Sequence, residues 1–87
     1  MDNDMTFSTR AERVTSVSVT LACELCAVER SFFYALVEEG VFIEAVEIDE
    51  LNHRDFARFC KAARLFNDLG VNPPGIALVL QLLAERT

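Results

Sequence analysis

The sequence has little of what membrane, catalytic and nucleic-acid-binding chains depend on. No apolar run approaches the ~20 residues of a membrane-spanning helix, and the opening MDNDMTFSTRAER lacks the basic-then-apolar order of a secretory signal. A cytoplasmic protein without membrane attachment is the expectation. Cysteine occurs three times, an odd number that argues against a disulfide framework and suits a reducing compartment. No glycine-rich loop is present to cradle a phosphate, and no strand-turn-helix nucleophile motif occurs. His53 is the only imidazole. General base catalysis by it would require a nucleophile alongside and a carboxylate to orient the ring, and Asp55 alone does not supply both. The chain is therefore not expected to be an enzyme, and His53 reads as a solvated residue near a helix start.

Cations are also short. Eight Lys and Arg stand against 14 Asp and Glu, a net charge of −6, where a phosphate-binding protein needs the opposite sign on its working face. The distribution is uneven. Glu38, Glu39, Glu44, Glu47, Asp49 and Glu50 form an acidic segment without a cation, and Arg54, Arg58, Lys61 and Arg64 follow at helical spacing. The basic stripe reads first as the wet side of an amphipathic helix. The acidic segment reads either as a solvated surface or as a site for a basic partner.

What the sequence does have is apolar volume. At 52% hydrophobic with seven Phe, 87 residues suffice for one small domain that buries roughly 60–65% of its chain surface. Residues 1–13 are polar and aperiodic and read as a disordered tail, leaving 14–87 as the domain. Val17 and Val19 alternate with Ser and Thr as a short extended lead-in, and Ser18 or Thr20 then caps a helix over Leu21–Cys26. Arg30–Glu39 is a second helix stopped by Gly40, with Phe32, Phe33, Leu36 and Val37 on its apolar side and Tyr34 at the edge. Val41–Leu51 mixes β-branched residues with carboxylates and predicts a two-stranded hairpin. Asn52, with Asp55 three residues on, opens a third helix whose stripe is Phe56, Phe59, Cys60, Ala63 and Phe66. That helix ends at Leu69-Gly70. The stiff Asn72-Pro73-Pro74-Gly75 turn then leads into a fourth helix over Pro74–Glu85, folded back on the third. The layout is mainly α: a winged helix-turn-helix with a small hairpin between helices 2 and 3 and a closing helical pair.

Cys23-x-x-Cys26, with Cys60 and His53, makes a nominal Cys₃His set. His53 opens the third helix and Cys60 lies two turns later on its apolar side, which splays the ligands, so buried structural thiols are the better reading. No metal and no cofactor is expected.

The segments CELCAVERSFFYALVEEGVF (Cys23 to Phe42) and AARLFNDLGVNPPGIALVLQLL (Ala62 to Leu83) resemble the chaperone-modulator (CbpM-like) family, a branch of the MerR-like helix-turn-helix superfamily. The resemblance covers roughly residues 17–86. It implies a non-enzymatic inhibitor that binds the J-domain of a DnaJ-like (CbpA-type) co-chaperone and masks the surface used by its DnaK-type chaperone. Phe33, Tyr34, Glu38, Glu44 and Glu47 are the expected partner-binding residues. The alternative is a MerR-like DNA-binding transcriptional regulator. DNA binding is disfavoured because Tyr34-Ala35-Leu36-Val37 and Ile43-Glu44-Ala45-Val46-Glu47 stand where DNA readers of this fold carry cations. Ala27 stands where the family's turn usually has Gly. Relatives often continue into a longer C-terminal helix, whereas this sequence stops at Thr87, so a monomer or weak homodimer is expected.

Overall fold

The structure is a computed structural model and describes residues 16–42 and 49–85. Residues 1–15, 43–48 and 86–87 lie outside the described residues, and with them the expected tail and most of the expected hairpin. Six elements follow in order: β1 (Ser16–Ser18), α1 (Val19–Leu25), α2 (Arg30–Glu38), β2 (Glu50–Asn52), α3 (His53–Leu69) and α4 (Pro73–Glu85).

Three of the four described helices begin at a side-chain cap, and α3 ends at a glycine. Ser18 is extended, and its Oγ accepts from the Leu21 amide at 3.0 Å, so it caps α1. Asn52 does the same for α3, its Oδ1 accepting from the Asp55 amide at 2.8 Å. Asn72 caps α4 through the Gly75 amide at 2.9 Å, and Pro73 and Pro74 occupy the two positions where a missing amide costs nothing. Gly70 ends α3 in the left-handed region, at φ 68°. The Val71 amide reaches back to the Leu65 carbonyl and the Gly70 amide to that of Phe66, both at 3.1 Å, which satisfies carbonyls the helix would otherwise orphan. Glu29 precedes α2 with no side-chain cap of its own.

The antiparallel pair forms, with a different partner from the one expected. Glu50–Asn52 pairs with Ser16–Ser18, placing Val17 opposite Leu51. The Asp49 carbonyl prolongs the ribbon by accepting from the Val19 amide at 3.1 Å. Val41 and Phe42 are in no strand and are buried. The reason is burial: a three-residue strand has one inward position, and Leu51 fills it completely while Val17 packs alongside. Serines on either side of Val17 suit the wet face.

The core gathers around three phenylalanines: one each from α2 and α3, and one from the segment after α2. Phe33 of α2 stacks on Phe42 at 5.8 Å between ring centroids, and both meet Phe59 of α3 edge-on at 6.0 Å. Phe32 joins through Phe59 at 6.0 Å and Phe66 at 4.6 Å. Small residues complete the core: Ala22 and Cys23 on α1, Ala62 and Ala63 on α3, all buried. α4 closes the other side with Ile76 and Leu80. Ala62, absent from the expected stripe, is buried, while Phe66 is more exposed than the stripe implied.

Ala27, between α1 and α2, has φ 58°. A side chain there holds the backbone in a region costing about 1–2 kcal/mol for any residue with a Cβ. This explains physically why glycine suits that turn. Ala27→Gly should raise the melting temperature by a few degrees, since relief of strain exceeds the ~0.4–1 kcal/mol entropy cost of glycine. Gly70→Ala should lower it, because φ 68° then carries a Cβ. Calorimetry on both variants measures the two signs. Phe59→Ala should cost about 3–5 kcal/mol, a large share of a small domain's stability, as read by chemical denaturation.

Candidate protein interface on the helix-turn-helix

The outward side of the helix-turn-helix is organised by Arg30, the first residue of α2. Its guanidinium donates to Thr20 Oγ1 at 2.6 Å, Tyr34 OH at 2.7 Å and Asp49 Oδ1 at 2.9 Å, the last also an ion pair. It also lies 5.4 Å from the centre of the Tyr34 ring. The planar fork of arginine makes one residue able to bind α1, its own helix and the start of β2 together. The Tyr34 bond, then the Asp49 bond, hold its pKa above the ordinary value, so the charge is permanent. It is also matched. Asp49 sits at φ 57° and uses its carbonyl on Val19 and its carboxylate on Arg30. An aspartate tolerates that backbone better than most side chains.

The expected partner residues divide. Tyr34 is on the surface, 45% exposed, with its hydroxyl held by Arg30. Glu38 is exposed at the end of α2 and is followed by exposed Glu39. Phe33 must be corrected: at 1% exposure it is a core residue, because α2 turns Phe33 and Leu36 toward Phe59 while Tyr34 points away. Glu44 and Glu47 lie outside the described residues. Two exposed leucines missed in the sequence, Leu21 and Leu25, lie four apart on α1 with Glu24 between them. The exposed side chains of α1 and α2 are thus apolar, neutral or acidic, apart from the engaged Arg30. Sequence reasoning also missed Arg30 and Asp49. Only the four-residue spacing of Arg30 and Tyr34 signalled part of that cluster.

The basic stripe on α3 is less uniform than its spacing suggested. Arg58 donates to the Val41 carbonyl at 3.2 Å, lies over Phe42 at 5.8 Å and stands 4.0 Å from Asp55, so it braces the segment after α2. Arg54, Lys61 and Arg64 are exposed. Lys61 and Arg64 border a shallow groove of about 330 Å³ between α3 and α4, floored by Leu65, Leu69, Val79 and Leu83.

His53 is exposed at the start of α3, and Asp55 is turned toward Arg58 instead of His53. Cys23 is buried, while Cys26 and Cys60 are half-buried with their sulfurs 3.6 Å apart. Burial raises the Cys23 pKa. Burial, then the contact with Cys60, pushes the Cys26 thiol up to about 12. Among the described residues, no three His, Cys, Asp or Glu side chains converge on a metal-sized site, and no helix is long and apolar enough to cross a membrane.

No curated protein and no solved structure matches the chain. One family model does, that of the MerR HTH family regulatory proteins, over residues 17–87. The match begins at β1 and runs through α4, so the helix-turn-helix, the ribbon and the closing pair are one inherited unit, and the chain belongs to the MerR helix-turn-helix family.

Proposed function

We propose that this protein is a non-enzymatic modulator that grips a basic protein surface, and that its partner is the J-domain of a DnaJ-like co-chaperone, as its resemblance to the chaperone modulators implies. The observation that carries this reading is the state of Arg30. The only cation on α2 already commits three of its five N–H donors, to Thr20, Tyr34 and Asp49. A helix that reads DNA needs free donors for phosphates and bases. Besides Ser31, the exposed side chains of α2 and its C-cap are Tyr34, Glu38 and Glu39. Carboxylates brought to a phosphate backbone repel it, whereas a basic helical face, of the kind J-domains present, would be attracted. Tyr34 is suited to an anchor because Arg30 fixes its rotamer before binding. Masking would follow from occupancy: a domain seated on that face blocks the DnaK-type chaperone sterically.

A second reading, a DNA-binding transcriptional regulator, draws on the family itself and on exposed Arg54, Lys61 and Arg64 of α3. The two readings separate by titration. Against a purified J-domain the protein should give saturable binding that weakens as salt rises. Tyr34→Ala should cost about fivefold or more in affinity, the level of an interface anchor, and Glu38→Lys should weaken binding and flatten its salt dependence. Retention of a defined DNA duplex at moderate salt, with no J-domain binding, would instead establish the regulator.

A further inference from the structure

We propose that Cys26 and Cys60 are a paired modification site that closes to an intramolecular disulfide on exposure to a small-molecule disulfide, stapling α1 to α3. The two sulfurs are 3.6 Å apart although 34 positions separate the residues, and a disulfide requires about 2.05 Å with no rearrangement of distant chain. The approach is a product of the fold: Asn67 Nδ2 donates to the Cys26 carbonyl at 3.1 Å, pinning the end of α1 against α3. Cys26 stands at the C-cap with φ −97° and ψ 3°, its amide still donating to the Ala22 carbonyl at 2.9 Å, so closure calls on side-chain rotation and leaves that bond in place.

Both thiols are half-buried and line an open depression with Leu25, Ala63, Arg64, Asn67 and Asp68. A reagent of glutathione size can reach its edge. Cys23 differs: it is only 4% exposed and belongs to the core. The pair closes in two steps. The thiolate of one cysteine attacks the glutathione disulfide, forming a mixed disulfide and releasing one glutathione. The other thiol then gives up its proton, attacks the protein sulfur of that mixed disulfide and expels the second glutathione. Two protein thiols and one glutathione disulfide become one protein disulfide and two glutathiones, so atoms and electrons balance.

Closing a ring of this length constrains the unfolded chain, and the melting temperature should rise by roughly 15–30 °C. The experiment uses the full chain. It is incubated with oxidised glutathione, free thiols are trapped, and a peptide map is made without reductant beside a thermal melt. The expected map links the Cys26 and Cys60 peptides and leaves Cys23 unlinked, and dithiothreitol reverses the rise in melting temperature. C23S should keep both effects and C60S should lose both. A Cys23–Cys26 bridge, persistent glutathione adducts on the wild-type chain, a disulfide-linked dimer, or no change would each overturn the proposal. None of these outcomes bears on J-domain or DNA binding, which is measured separately on the reduced protein.

Discussion

The mutual contact of Phe33, Phe42 and Phe59 is the constraint on which the rest of the domain depends. Three short pieces of chain, none able to bury its own apolar side, share one aromatic centre. Burial of each ring removes a large apolar area from water, and the paired geometry fixes α2 against α3. Once that angle is set, Leu51 has a place to bury, and the ribbon forms around it. The Arg58 contacts with the Val41 carbonyl and the Phe42 ring hold the same centre from outside.

Fixing α2 decides which of its residues face solvent, and the surface chemistry follows. Phe33 and Leu36 turn inward, so Tyr34, Glu38 and Glu39 turn outward. Arg30, at the start of the same helix, meets Asp49 because β2 lies alongside α1. The cation that a DNA reader would spend on phosphate is spent inside the molecule. The outward side of α2 thus carries a tyrosine and carboxylates on the scaffold that the family shares.

Much of the fold was legible because its signals are local. Asn52 and Asp55 three residues apart place the start of α3, and Gly70 places its end. The Asn72-Pro73-Pro74-Gly75 run specifies a capped helix start within four residues, with α4 beginning one residue earlier than the sequence suggested. Periodicity found Phe59 and Ala63, and it placed Phe33 on the apolar side of the second helix, where the structure keeps it. The reading of Phe33 as a contact residue is what fails. Periodicity itself failed at Arg58, whose spacing matched the wet stripe while its side chain lies across Phe42.

By itself the sequence determined the four helices, their caps and stops, and the scarcity of free cations, since each depends on residues within a few positions of one another. Only the tertiary structure decided that Val17 pairs with Leu51, that Asp49 neutralises Arg30 and that Cys26 lies against Cys60. Those contacts join residues 19 to 34 positions apart. No local propensity encodes them; they exist because one aromatic core can be filled by these helices in only one arrangement.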